Sequence, residues 1–252
     1  MASQPDWVNH GGMPNTYTPK DPEASPETSL AEVVALGLQR LIVPRSMGGH
    51  GAPVAELSRE LSTLAQRNAA AAWLAWSQCM AVEALVHSSN VALRDYVLPD
   101  LLDGSRAGAI SWRADFGLTG EQSVVQASAL ERGWHLQGRL DEVPNLQWDG
   151  YVVVCPVWFQ REGAQPGRLA WVLLRSEEDG LRHELDRHRQ LSRQAACGTL
   201  HLQQVYFRED ELLADDARDL TLRLRLLDQA LRPALWMGAL QHPIASPVPQ
   251  KV

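Results

Sequence analysis

The densest group of residues that could do chemistry in this chain is His183, Glu184, Asp186 and His188 in the run HELDRH, with Arg182, Arg187, Arg189 and Arg193 around it. Imidazoles and carboxylates this close together could hold a metal. The spacing is not HExxH, however, which would set two imidazoles on one helix face, and the run reads as a strand leading into a loop. No metal site is expected there, and the arginines read as a solvated charged loop. Cys79, Cys155 and Cys197 are widely spaced, without CxxC or Cys-His pairing, which argues against a disulfide framework or zinc and for buried thiols in a reducing compartment. Gly48, Gly49 and Gly51 share only glycine content with a phosphate loop, since no strand precedes them and no Lys-Ser/Thr follows. Spacing alone proposes no Ser-His-Asp arrangement.

The elements that would have to position such groups are legible from periodicity. With 252 residues, 45% of them hydrophobic, the chain can bury a sizeable core, and its net charge of −7 gives no long-range attraction to nucleic acid or to an anionic membrane. The N-terminus, MASQPDWVNHGG, lacks a basic start followed by an apolar core, so no secretory signal is visible and a cytoplasmic protein is expected. Residues 1–26, with Pro5, Pro14, Pro19, Pro22 and Pro26 among polar residues, read as a loose leader. Ser29 to Leu38 suggests a short amphipathic helix capped by Thr28 or Ser29. A second helical stripe runs through Leu57, Leu61, Leu64 and Ala65, and Asn68 breaks it. Ala69 to Val86 is apolar, but Ser77, Gln78 and Glu83 interrupt it, so it reads as a buried helix and not a membrane span. A further helix covers Val91 to Leu102 and closes at Asp103-Gly104.

From Ala107 the period changes to alternation. Strands are expected at Ala107 to Asp115, Ser123 to Glu131, Gly133 to Val143, Tyr151 to Gln160, Arg168 to Arg175, Leu181 to Asp186 and Gly198 to Arg208. Short loops without intervening helices predict an antiparallel sandwich or barrel. Ala217 to Leu240 returns to helix, and its stripe of Leu220, Leu224, Leu227, Leu231 and Leu235 must face something apolar.

Four stretches carry a family resemblance: GLQRLIVPRSMGGHG at 37–51, SSNVALRDYVLPDLLDGSRAGA at 88–109, WDGYVVVCPV at 148–157 and LRLRLLDQALRPALWMGAL at 222–240. In content and order they resemble the acyl-CoA dehydrogenase family, down to the Arg-Pro at Arg232 and Pro233. The resemblance implies an α+β fold. Its parts would be a leader at 1–26, an N-terminal helical domain at 27–106, a middle β domain at 107–214, one long helix at 215–242 and a tail at 243–252. Roughly three further helices of the family's C-terminal bundle have no counterpart in the chain.

Family members take an α-proton from an acyl thioester with a carboxylate while a hydride leaves from the β-carbon to the flavin of FAD. The resemblance puts the base either in the absent bundle or at Leu231, which cannot accept a proton. Asp228 lies one turn away and is expected to be a solvated charge on an exposed face among arginines. Of the family's flavin-holding residues, the resemblance retains Asp115, Gly117 and Asn145 as cofactor-binding candidates. Ala114, Gly120, Glu142, Val143 and Pro144 replace the others. Trp73 and Trp76 are expected to pack in the core in preference to stacking on a flavin. The resemblance further implies an acyl-CoA-like ligand. It also implies a partner, either a second copy or a full-length homologue, meeting the Leu220 to Leu235 helix. A non-catalytic paralogue and a flavin monooxygenase are the rival readings.

Overall fold

The computed structural model describes residues 26–112, 125–147, 150–160, 167–214 and 216–240. Helix α1 (Pro26–Ala35) starts earlier than the expected Thr28 or Ser29 cap, because a proline at the first helical position loses no hydrogen bond. Two short 3₁₀ turns, Leu38–Arg40 and Arg45–Met47, then fold the chain back on itself. The backbone N–H groups of His50, Gly51 and Ala52 donate to the carbonyls of Arg40, Val43 and Leu41. At Gly49 a Cβ would lie 2.1 Å from the carbonyl oxygen of Val43, so only glycine lets the two passes of chain approach.

Helix α2 (Val54–Arg67) and α3 (Ala69–Val86) meet at Asn68, whose side chain accepts from the N–H of Ala71 and so caps the second helix. Polar residues are few on α3, and it is buried on nearly every face. As an 18-residue segment of mean hydropathy 1.3 it could cross a membrane by composition, yet 89% of it is buried inside this fold. Helix α4 (Val91–Asp103) is capped by Asn90 in the same manner and ends at Gly104.

The strands are β1 (Ala107–Ile110), β2 (Val125–Ala129), β3 (Trp134–Val143), β4 (Tyr151–Phe159), β5 (Arg168–Arg175), β6 (Leu181–Leu185), β7 (Gly198–Phe207) and β8 (Leu212–Ala214), with a five-residue helix α5 (Gln190–Gln194) between β6 and β7. They form one sheet in the order β6-β7-β3-β2-β4-β5-β8, with β1 also on β4. The sheet is mixed where antiparallel pairing was expected. Strands β1 and β2 both run parallel to β4, β1 beside Tyr151 to Val154 and β2 beside Trp158 and Phe159. Alternation within a strand reports which face is buried and carries no sign of a neighbour's direction. Strand β8 and helix α5 were not foreseen.

Alternation divides the core in two. Val152, Val154, Trp171 and Leu173 face the helices, while Tyr151, Val153, Cys155, Val157 and Val172 face a second cluster inside the curved sheet. Helix α6 (Ala217–Leu240) lies across α2 and α3. Leu220, Leu224, Leu227, Leu231 and Leu235 are all buried there, so the stripe expected to meet another chain is covered by its own. Gly238 allows that approach, since a Cβ would fall 2.5 Å from the Cβ of Ala65.

Candidate functional site

Helices α3 and α6 converge on the end of β1, and the side chains there form a closed set around one carboxylate. Asp228 on α6 is 5% exposed. Its Oδ1 accepts from Trp76 Nε1 of α3 at 3.1 Å and its Oδ2 from Trp112 Nε1, just past β1, at 2.9 Å. Arg232, one turn along α6, donates its Nε to both oxygens at 2.9 and 3.0 Å. The guanidinium also lies over the ring of Trp76, 4.9 Å from its centroid. Trp112 stacks on Trp171 of β5 with centroids 6.2 Å apart, and Trp171 Nε1 donates to Thr221 Oγ1, again on α6. A buried carboxylate needs this many donors to offset the loss of water.

The expectation of a solvated Asp228 is therefore overturned. The signal was present in the spacing: residue 228 falls four after Leu224 and three before Leu231, on the buried stripe itself. Trp112, Trp171 and Thr221 could not be found this way, because their contacts join elements far apart in the chain.

A second buried network ties α3 to β1 and to the segment after β3. Gln78 Nε2 donates to the carbonyls of Leu101 and Arg106, and its Oε1 accepts from the N–H of Gly108 and from Asn145 Nδ2. Asn145 Nδ2 also reaches the carbonyl of Gly108, Asn145 Oδ1 accepts from Gln147, and Ser77 Oγ donates to the carbonyl of Gly108. Ser77 and Gln78, which interrupt the apolar run, are thus the joint between helix and sheet.

The HELDRH residues lie on and after β6. His183 Nδ1 is 3.3 Å from the hydroxyl of Tyr151, and burial holds the imidazole below its ordinary pKa. Asp186 accepts from the N–H of His188, which together with neighbouring donors holds that carboxyl low despite partial burial. Among the described residues no group of three or more His, Cys, Asp or Glu is arranged to hold a metal ion.

No family model and no curated protein matches the sequence. Solved structures do match in three dimensions. A PigA structure containing FAD and proline superposes with a TM-score of 0.69 at 15% identity, over 87% of this chain and 58% of that one. Butyryl-CoA dehydrogenase from Megasphaera elsdenii gives 0.65 at 14% identity, over 80% of this chain and 55% of that one. Methanesulfinate monooxygenase MsuC from Pseudomonas fluorescens gives 0.67 at 16% identity, over 85% and 54%. The chain has the acyl-CoA dehydrogenase fold. It spans between half and two thirds of the length of these solved chains.

Within that fold the residues expected to carry chemistry fare differently. Leu231, at the position the resemblance assigns to the base, is fully buried. Asp228 is near it on the same helix, but its lone pairs already face two indoles and an arginine, which leaves little acceptor capacity for a substrate proton. Asp115 and Gly117 lie outside the described residues. Asn145 is 0% exposed, with a backbone φ of +67°, and both its amide hydrogens and its carboxamide oxygen are engaged within the protein. Its side chain does not fit a direct contact with FAD. What it does is fix the loop leaving β3.

Proposed function

We propose that this chain is an acyl-CoA dehydrogenase-like, FAD-dependent oxidoreductase subunit, incomplete in itself, acting in the cytoplasm on an acyl-CoA-like ligand together with another chain. The fold supports this reading, because a helical wall, a mixed sheet and a long helix stand as they do in a structure that contains FAD. On this reading FAD is held chiefly by backbone groups and by residues outside the described ones, and the proton acceptor comes from elsewhere than α6. The similarity to a methanesulfinate monooxygenase keeps oxygenation open as the alternative reaction, one that would need no carboxylate at position 231.

A second reading, a non-catalytic interaction protein on the same scaffold, is favoured by the Asp228 cluster, which fills the convergence of α3, β1 and α6 with protein side chains. The two readings separate on one experiment. Purified protein is soaked with FAD and desalted, and its visible spectrum is recorded. A flavin band that stays with the protein is the expected result; a colourless, folded protein would move the assignment to the second reading.

A further inference from the structure

Strand β6 ends the sheet. It pairs with β7 on one side and with no strand among the described residues on the other. The N–H of Asp186 donates to the carbonyl of Cys197 and that of Gln203 to Gly180, so by antiparallel alternation Arg182 and Glu184 spend their backbone groups on β7. Leu181, His183 and Leu185 turn theirs to the open edge. Of these groups the N–H of Leu181 is already engaged, donating to the carbonyl of Glu178. An open edge is a template for another strand, and proteins ordinarily blunt it with charge.

Here the charges select a partner. The strand reads Leu-Arg-His-Glu-Leu, and a two-fold axis at His183 carries Leu181 onto Leu185 and Arg182 onto Glu184. We infer that β6 pairs antiparallel with β6 of a second copy of the chain, His183 opposite His183, Arg182 opposite the second copy's Glu184 and Leu181 opposite its Leu185. An interface closed by a two-fold axis must be self-complementary in this way. The backbone groups agree with that register: each His183 N–H meets the other copy's His183 carbonyl, and each Leu185 N–H meets the other's Leu181 carbonyl. Main-chain bonds of this kind supply the affinity when a strand adds to a sheet edge.

Arg182 and Glu184 fall at the non-hydrogen-bonded positions of the new pair, where side chains on facing strands come closest. Arg182 has no ion pair among the described residues, and Glu184, its side chain 83% exposed, has only His201 at 3.9 Å. Across β6, β7 and β3 the outer face carries a basic row of Arg182, His201 and Arg139, and beside it Glu184, Thr199 and Asp141. The two-fold axis lays each basic row against the acidic end of the other copy's neighbouring row. Parallel pairing in register would set Arg182 against Arg182. On the inner face the buried Leu181 meets the half-buried Leu185, and burial, which holds the His183 imidazole below its ordinary pKa, lets the two rings meet uncharged at neutral pH.

Sedimentation equilibrium of the full chain, with charge reversal as the probe, tests this pairing. The wild-type chain is expected to show a monomer–dimer equilibrium. Arg182→Glu or Glu184→Arg alone sets like charges opposite each other at both ends of the pair and weakens the dimer about tenfold. Both side chains are exposed, so each variant keeps the wild-type melting temperature. An equimolar mixture of the two variants matches every reversed residue with an opposite charge and dimerises as the wild type does, and so does the double variant. Amide hydrogen exchange reads the register, because the N–H groups of His183 and Leu185 gain protection as concentration rises. A wild-type chain that stays monomeric, a dimer indifferent to both reversals, a mixture no tighter than either variant alone, or His183 and Leu185 amides that exchange freely in the dimer would each overturn the inference.

Discussion

The burial of Asp228 is offset because each of its oxygens faces an indole N–H and both share the Nε of Arg232. Removing the carboxylate strands three donors at once, and Arg232 is the one most able to turn toward water, its side chain being 28% exposed. Asp228→Ala is expected to cost about 3 kcal/mol in urea unfolding, and Asp228→Asn about half of that, because one carboxamide oxygen can still accept. The same reasoning applies to Gln78, which joins α3 to β1. Gln78→Leu leaves the N–H of Gly108 and the carbonyl of Leu101 unpaired in the core, for an expected loss of about 2–4 kcal/mol by the same assay. The three thiols should be silent in the native protein. Burial pushes Cys79 and Cys155 up to about 12 and Cys197 higher than its ordinary value as well, and all three are enclosed. A maleimide at pH 8 is expected to label none of them in the folded chain and all of them in urea.

At the scale of elements, two glycines in one turn make opposite predictions. Gly49 is hemmed in by the backbone of Val43, so Gly49→Ala must displace a strand of chain and should cost more than about 2 kcal/mol. Gly37 has a φ of +67° but open space, its nearest neighbour to an added Cβ being His50 at 3.9 Å, and Gly37→Ala should cost only about 1 kcal/mol. Thermal unfolding of the two variants checks both. Much of this architecture was legible in the sequence. Helices α2, α3 and α4 and strands β3 to β7 fall within a residue or two of their expected positions, because apolar periodicity, the Asn68 break and the Gly104 stop are all local signals. What was not legible is what depends on distant partners. Strand β8 exists only because Leu212 and Ala214 pair with β5, and the parallel neighbours of β4 arrive from other parts of the chain. Of the site, the burial of Leu231 follows from its place on the leucine stripe. Asp228 was misread because its charge was weighed above its place on the leucine stripe, and the two tryptophans that donate to it come from α3 and from the segment after β1.

For the whole molecule, helical wall, sheet and α6 are held together by two buried polar joints, one around Asp228 and one around Gln78, and both lie where α3 meets the rest. A fold held this way does not depend on the residue at position 231, a leucine here, and the scaffold matches solved structures at 14–16% identity. The central claim is that this chain supplies the flavin-facing framework of an oxidoreductase and no proton acceptor from α6. The measurement that meets it most directly is anaerobic addition of a short acyl-CoA to the FAD-loaded, desalted chain, followed at the visible flavin band. The account predicts a band that survives desalting and is not bleached by the acyl-CoA until a partner chain is added. Bleaching by this chain alone would show that Asp228 or another of its own groups accepts the proton, and that result would contradict the account.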